Sequence, residues 1–321
     1  MQLNKNVLIV GGLLLAMAAG TAVLVLKAPG RKGAGSSSSA EPVGLAKPRA
    51  LAYGSKGELV IVDSKNDRLE VRFADGKVKH VGRRGISKGE FREPCGVAVD
   101  KDGNVFVADT FYTQDPNGGL PWGRIEKFDK DYDFKAEFGK VEGGNPNLFG
   151  PRAIAVDGQG RVWLSDTGNG RLLIYDNAGK FIKELGHKGN KELEFNEPFG
   201  VAFDAQGNAY VADRLNFRIQ VISPAFAFVR QFKVDGWENA QINVEPYLAI
   251  DQAHGLLYVS DPTKKKVHRY DLMGHGHKAY DKANNGPALE AFVLPTGLLV
   301  AADGSVLVSD GGSGHILTLK P

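Results

Sequence analysis

A triplet of residues at fixed spacing recurs six times along the chain and constrains its fold more than any other feature. Each copy has a proline, a glycine nine residues later and an aspartate fifteen residues after the proline. The copies begin at Pro48, Pro94, Pro151, Pro198, Pro246 and Pro295. Successive prolines are 46, 57, 47, 48 and 49 residues apart. Tandem repeats of this length are typical of four-stranded β-propeller blades.

Each copy predicts four short strands. Proline cannot donate to a β-ladder, so it stands where the first strand begins, as in residues 94–99. The glycine suits a tight turn with positive φ, and the second strand ends at the aspartate. The third strand begins at a basic or imidazole residue five positions after the aspartate, displaced in the second copy by ten inserted residues. These residues are Arg68, Arg124, Arg171, Arg218, Lys266 and His315.

The repeats therefore predict an all-β fold, a six-bladed β-propeller over residues 48–321. The last copy has only 27 residues from Pro295 to Pro321, so we expect it to lack its own outer strand. Residues 41–46 are the candidate for supplying that strand and clasping the ring.

The repeat units resemble NHL repeats, as residues 198–222 show with the sequence PFGVAFDAQGNAYVADRLNFRIQVI. The resemblance extends over residues 48–321 and implies an NHL-like six-bladed propeller, a family of mainly binding and scaffolding proteins that includes some enzymes. Related propellers hold zinc through histidines in an amidating lyase, or calcium through acidic and amide side chains in lactonases. No histidine or acid directly follows any of the six prolines, so neither metal site is carried over to this chain.

Residues 7–26 contain no charged side chain, and twenty such residues match the thickness of a bilayer core. They predict a single transmembrane helix within an N-terminal signal anchor, residues 1–27. Residues 28–47 are rich in glycine and serine and predict a flexible linker. The propeller is then expected on the periplasmic or outer side of the membrane, the cell inner membrane if the source is bacterial. Ala16, Met17 and Ala18 resemble a signal-peptidase site, so a secreted protein is the alternative.

Charge is distributed unevenly along the chain. The formal net charge is +3, but five basic residues and one acid precede residue 48, which leaves the propeller near neutral. A near-neutral domain argues against a nucleic-acid partner, because such partners require a strongly basic surface. Cys95 is the single cysteine, which excludes an intramolecular disulfide and any metal site built from several cysteines.

The residues that follow the six prolines are predicted to surround the mouth of the central tunnel and to bind the ligand. They are Arg49, Cys95, Arg152, Phe199, Tyr247 and Thr296. Two arginines beside aromatic side chains suit an anionic or carbohydrate-like ligand. Glutamates stand one position before three of the prolines, and the alternative is that they neutralise the arginines.

The insertion of the second copy is the main departure from the repeat. Phe111, Tyr112 and Trp122 lie in it and are predicted to form an aromatic lip on the face of the mouth. The alternative is a loop that packs on its own side chains.

The six repeat aspartates are predicted to be structural partners of the basic residues that begin the third strands, because buried charges are usually paired. They are Asp63, Asp109, Asp166, Asp213, Asp261 and Asp310. His275 and His277 have the only local metal-like spacing, and no third ligand stands nearby. The sequence accordingly predicts neither a metal nor a cofactor and no catalytic residue.

These features favour a membrane-tethered, extracytoplasmic module that binds a protein, peptide or glycan partner. The alternative is a lyase or hydrolase with a metal in the central tunnel. Whether the chain is an enzyme stays open on the sequence, with binding favoured.

Overall fold

The computed structural model describes residues 14–18, 21–25, 44–111, 122–139, 148–239 and 245–321. The chain separates into two compact units, Met1–Glu41 and Pro42–Pro321.

In the first unit, Leu14–Ala18 and Thr21–Val25 are strands that pair antiparallel. The predicted transmembrane helix is therefore not confirmed, and the other residues of segment 7–26 lie outside the described residues. Across the described ranges, no helix is long and apolar enough to cross a membrane. An uninterrupted apolar run has no periodicity that separates helix from strand, so the sequence pattern alone did not determine this conformation. The membrane anchor stays a prediction, and of the predicted linker only residues 44–47 are described.

The second unit contains six β-sheets, each corresponding to one repeat, and this confirms the six-bladed propeller. The strands of blades 1 to 3 are Pro48–Tyr53, Leu59–Asp63, Arg68–Arg72 and Val78–Val81; Pro94–Val99, Val105–Phe111, Trp122–Phe128 and Phe134–Phe138; and Pro151–Val156, Val162–Asp166, Arg171–Tyr175 and Phe181–Leu185. Those of blades 4 and 5 are Pro198–Phe203, Ala209–Asp213, Arg218–Ile222 and Phe228–Lys233; and Leu248–Asp251, Leu256–Asp261, Lys266–Asp271 and Lys278–Tyr280. Blade 6 has Pro295–Val300, Val306–Asp310 and His315–Leu319, joined by Lys282–Asn285 and Ala288–Ala291. The helices described are short 3-10 turns, at Ser64–Asn66, Thr167–Asn169, Arg214–Asn216 and Trp237–Asn239.

The spacing of the triplet follows from the pairing of the first two strands. The proline and the aspartate of one copy face each other across these strands in five blades, as Pro198 and Asp213 do in blade 4. The register shifts just after the proline in these five blades. All six repeat glycines have positive φ, for example 81° at Gly207, as the turn between the strands requires.

The outer strands of blade 6 differ from those that the sequence predicted. The outer strands of blade 6 come from Lys282–Asn285 and Ala288–Ala291, which precede the blade in the chain. Of the predicted residues 41–46, only 44–46 are described, and they form no strand. Within residues 44–46, Ala46 instead donates its amide to Asp63 at 2.7 Å in blade 1. Segment 282–291 had room to form a hairpin because it lies between the last strand of blade 5 and Pro295.

Apolar side chains from adjacent blades pack together and form the core. Val60 and Val62 of blade 1 lie in one buried cluster with Val97 and Val107 of blade 2, and equivalent clusters join other neighbours. A blade covered on both faces needs apolar residues on both faces, which explains the nearly continuous apolar inner strands.

Candidate functional site

The side chains that line the central tunnel are mostly small and aliphatic. It encloses a cavity of about 360 Å³, lined by the first strands of all six blades, with small aliphatic residues such as Ala50, Ala98 and Ala249. Such a lining supplies few polar side chains, so charged and hydrogen-bonding side chains are found mainly at the ends of the tunnel.

Two side chains close the tunnel at the end where the first strands begin. The Tyr247 hydroxyl of blade 5 donates to the Cys95 carbonyl of blade 2, which is diametrically opposite in a six-bladed ring, at 2.6 Å. Beside it, Arg49 is 1% exposed and its Nη2 lies 3.1 Å from Glu93 Oε1 and 2.9 Å from Glu245 Oε1. We call Arg49, Tyr247, Glu93 and Glu245 the plug.

Some buried polar atoms of the plug have no hydrogen-bond partner among the described residues. Burial is the largest effect and disfavours the charge on Arg49, but the electrostatic effects of Glu245, Tyr247 and Cys95 together outweigh it and raise the pKa of Arg49. Even so, Arg49 Nε and Nη1 and Glu245 Oε2 are buried without a hydrogen-bond partner in the described part of the chain. Unpaired buried polar atoms cost free energy, so this network gains from any water or ligand group that reaches it.

Basic side chains outnumber acidic ones around the plug. Arg152 Nη1 lies 3.9 Å from Glu245, and its side chain is 17% exposed. Among the described residues, the basic groups here include Lys47, Arg49, Lys65, Arg152 and Arg214, and the acidic groups include Glu93, Glu197, Glu245 and Asp67. Burial, together with the charge of Arg49, lowers the pKa of Lys47, as expected in a positive field. The mouth is thus suited to anionic groups.

The structure brings the six residues after the prolines around the tunnel, as their repeat position indicates, but most of them are buried in or below the plug. Arg152 alone among them is partly exposed, while Arg49, Cys95, Phe199, Tyr247 and Thr296 are buried. Sequence reasoning named the neighbouring glutamates but missed Lys65, two positions after Asp63, and Arg214, one position after Asp213. Their location in the short turn just after the second strand was the signal that could have identified them.

Cys95 is packed as a structural residue. Its Sγ lies 3.1 Å from the Pro151 carbonyl oxygen and 3.3 Å from that of Ala108. Burial raises the pKa of the Cys95 thiol to about 11, so the thiol stays protonated at neutral pH and is a poor nucleophile.

The inserted loop is only partly described. Phe111 and Trp122 face each other at the ends of the second and third strands of blade 2, which the insertion lengthens. Tyr112 and the rest of residues 112–121 lie outside the described residues. The aromatic lip therefore stays a prediction.

The repeat aspartates are buried, and in four blades each contacts the arginine that begins the third strand. The Nε to Oδ2 distances are 2.9 Å for Arg68 and Asp63, 3.3 Å for Arg124 and Asp109, 2.7 Å for Arg171 and Asp166, and 2.7 Å for Arg218 and Asp213. The aspartates also accept amide protons from the blade-connecting segments, as Asp213 does from Asn196 at 2.7 Å. These contacts orient loops, which is an architectural role.

Blades 5 and 6 use other partners. Lys266 is exposed, and Asp261 instead lies 3.4 Å from His268 Nε2. In blade 6, Asp310 accepts the amides of Val293 and Leu294, while His315 contacts Glu290. The planar guanidinium group of arginine presents several donors to the aspartate carboxylate at once, and lysine and histidine lack this geometry.

The histidines of blade 5 form a pair and not a metal cluster. His268 Nδ1 lies 2.9 Å from His277 Nε2, and His277 Nδ1 lies 3.2 Å from Asp235 Oδ2. Exposed His275 lies 3.7 Å from Asp271. The described residues contain no group of three or more histidine, cysteine, aspartate or glutamate side chains that could hold a metal ion.

Known proteins resemble the chain in repeat and in fold. The NHL repeat family model matches residues 195–222. Protein brain tumor of Drosophila melanogaster is 32% identical over 107 residues, 33% of this chain and 9% of that protein. NHL repeat-containing protein 3 of Mus musculus is 28% identical over 114 residues, 36% of this chain and 30% of that protein. The chain thus spans less than a third of the length of either relative.

Among solved structures, virginiamycin B lyase from Staphylococcus aureus superposes with a TM-score of 0.60 at 16% identity, covering 87% of this chain and 84% of that chain. At this identity the likeness shows the fold alone. The chain thus folds as a six-bladed β-propeller and contains a match to the NHL repeat at residues 195–222.

Proposed function

We propose that this NHL propeller is a membrane-tethered, extracytoplasmic binding module that holds an anionic group of a protein, peptide or glycan partner at the plugged mouth. The observation that carries the proposal is the plug itself. Tyr247 and Arg49 close the tunnel, so a ligand on this face rests on the surface above them and does not pass through.

The surroundings of the plug support the anionic class. Among the described residues, basic side chains outnumber acidic ones around the plug, and Arg152 is the partly exposed arginine next to Glu245. A guanidinium group at the edge of a partly desolvated site binds carboxylate or sulfate oxygens in a planar, bidentate geometry. NHL resemblance adds weight, because the family consists mainly of binding proteins.

The test is crosslinking in intact membranes followed by capture of the full-length chain. Arg152→Glu reverses the charge at the mouth, and we expect it to reduce the captured partner by about five-fold or more. Lys101→Glu is the matched control, because it makes the same change on an exposed turn at the other end of the first strand. Equal capture by both variants would contradict a binding site at the mouth.

The insertion is tested in the same experiment. Replacing Phe111, Tyr112 and Trp122 together by Ala removes the predicted aromatic lip. Loss of the partner is expected if these side chains contact it. An unchanged set of partners would eliminate the loop from the binding surface while leaving Arg152 as a separate test.

Membrane tethering and orientation are tested on intact cells. A protease added outside should remove the propeller, while extraction at high pH should leave the chain in the membrane fraction if residues 7–26 are an uncleaved anchor. Protection of the propeller from external protease would overturn the extracytoplasmic location. Stoichiometric zinc or calcium in the purified protein would instead favour the lyase or hydrolase.

A further inference from the structure

Glu126 of blade 2 and Gln220 of blade 4 occupy the same position in two blades with the same pairing of the second and third strands. Each stands two residues after the arginine that begins the third strand. Each side chain accepts an amide proton from the loop that enters its blade, Glu126 from Gly89 at 3.0 Å and Gln220 from Leu193 at 2.9 Å. The two environments can therefore be compared atom by atom.

The second polar atom of the two side chains differs in chemistry. Gln220 Nε2 donates to Asp213 Oδ2 at 3.1 Å and to a carbonyl of its entry loop at 2.7 Å. Asp109 is the corresponding aspartate of blade 2, but a carboxylate has no proton to donate to it. Glu126 Oε2 is buried without a hydrogen-bond partner among the described residues. A glutamic acid that keeps its proton donates as the glutamine does.

Asp109 also lacks a donor that other blades supply. In blades 1, 3 and 4 an asparagine three residues after the repeat aspartate donates to it, at 2.6, 2.8 and 2.8 Å. The same position in blade 2 is Tyr112, which has no side-chain amide. A proton on Glu126 gives this aspartate a donor in its place.

The charged groups around Glu126 favour one shared proton over two carboxylates. Arg124 Nη1 lies 3.5 Å from Glu126 Oε1, and Arg124 Nε lies 3.3 Å from Asp109 Oδ2. The same guanidinium group also pairs with Glu137 at 2.7 Å, so it faces three carboxyl groups. Burial is the largest cause that raises the pKa of Glu126, to about 7, and burial raises the pKa of Asp109 as well. One arginine does not compensate two ionised, buried carboxyl groups.

Asp109, Arg124 and Glu126 together hold residues 82–93, which we call the entry loop of blade 2. Glu126 and Asp109 accept amide protons from the loop, and Arg124 donates to its carbonyls. The loop atoms bound in this way, at 2.5–3.0 Å, are the amides of Gly89, Arg92 and Glu93 and the carbonyls of Ile86 and Glu90. The protonation of Glu126 therefore bears directly on how firmly this loop is held.

We propose that Glu126 and Asp109 share one proton in the folded protein, and that the entry loop of blade 2 loosens when this proton is lost. Ionised Glu126 keeps the contact with the Gly89 amide but repels Asp109 and no longer donates to the loop. The stabilising contribution of the proton is fully present at about pH 4.5 and is lost as the pH rises through about 7.

The loosened loop also carries a residue of the plug. Glu93 ends the loop and accepts a hydrogen bond from Arg49 at 3.1 Å. Loss of the proton thus reaches the mouth, and this last step rests on the function proposed for that site.

Hydrogen exchange of the full-length protein tests the proposal without a mouth ligand. The readout is the protection of residues 82–93 divided by that of residues 186–197, the entry loop of blade 4, which is held by Gln220 and serves as internal control. Raising the pH from 5.5 to 8.5 should lower this ratio about ten-fold, the factor that corresponds to one unit of pKa difference between the held and loosened loop. Glu126→Gln should abolish the change, because glutamine donates at every pH.

The reverse substitution transfers the effect. In Gln220→Glu, residues 186–197 should become the loop that loses protection as the pH rises. If this variant does not fold, the comparison of wild type with Glu126→Gln decides alone, because other titrating groups affect both proteins alike.

Either of two results would overturn the proposal. One is a protection ratio in the wild type that does not change between pH 5.5 and pH 8.5. The other is the same pH dependence in Glu126→Gln as in the wild type. Capture of a partner at the mouth is measured separately, so failure of the switch is distinguishable from failure of the proposed function.

Discussion

Blades 4 and 5 are neighbours whose second and third strands pair in the same register but carry different polar side chains. The repeat aspartate pairs with the first residue of the third strand in both, Asp213 with Arg218 and Asp261 with Lys266. In blade 4, Arg218 and Gln220 both donate to Asp213, at 2.7 and 3.1 Å.

In blade 5, the lysine is exposed and the aspartate lies near His268, which occupies the position of Gln220. The second and third strands therefore pair in the same register although the side chains at these positions differ. The aspartate is the fixed part of the motif, and its side-chain partner is exchangeable.

The largest difference between the two blades should appear on truncating the first residue of the third strand. Arg218→Ala leaves the buried Asp213 without its guanidinium partner and removes the donor to the Lys191 carbonyl, so we expect a loss of about 3 kcal/mol in the free energy of unfolding. Lys266→Ala should cost less than about 0.5 kcal/mol, because its side chain is exposed. Urea denaturation of both variants measures the difference. Similar losses would show that the lysine also holds its aspartate in solution.

A smaller change in stability is expected when Glu126 of blade 2 is replaced by glutamine, the residue at the equivalent position of blade 4. Glu126 occupies the position of Gln220, is fully buried, and accepts the Gly89 amide at 3.0 Å while Oε2 has no partner among the described residues. Burial raises the pKa of Glu126 to about 7, against the opposing effect of Arg124. Glu126→Gln should therefore stabilise the protein by about 1 kcal/mol at pH 8.

The sign of the pH dependence follows from the raised pKa. An acid whose folded pKa lies above its unfolded value stabilises most when protonated, and that contribution is lost as the pH rises from about 4.5 to about 7. The gain from Glu126→Gln should accordingly be small at pH 4.5 and complete above pH 7. Gln220→Glu, the reverse change in blade 4, is the control and should destabilise over the same window. A gain that does not vary with pH would contradict a buried, titrating carboxylate.

The smallest effect concerns the histidine pair of blade 5. Burial lowers the pKa of His277, and neighbouring His268 and Lys266 lower it further against the attraction of Asp235. The folded state then binds a proton less readily than the unfolded state, so stability should fall as the pH drops below about 6.5. Because His277 is a third exposed, the effect should be only about 0.5 kcal/mol.

Thermal unfolding between pH 7 and pH 5 measures how much stability falls with pH. We expect His277→Gln to reduce this dependence of stability on pH. The same substitution at exposed His275, on the same turn, is the control. A steeper slope in His277→Gln would show that the imidazole is held protonated by Asp235 instead.

Local sequence spacing was sufficient to predict the inner strands of each blade. It was not sufficient to predict how blade 6 is completed. The proline and glycine positions gave the first two strands of each blade, since both residues act through their own backbone dihedral angles. The hairpin that completes blade 6 was missed because residues 282–291 follow blade 5 in the chain and pair with His315–Leu319 only at one position, Asn284 with Thr318. The contact of Tyr247 with Cys95 joins residues 152 positions apart, and no local pattern encodes it.

The sequence by itself determined the number of blades, their register and the buried role of the repeat aspartates, because each depends on residues within about fifteen positions of one another. Only the tertiary structure decided that the tunnel is plugged and that the predicted mouth residues lie mostly beneath its surface. Those properties arise where blades distant in sequence converge, and there the environment of a side chain is set by neighbours that its own repeat does not contain.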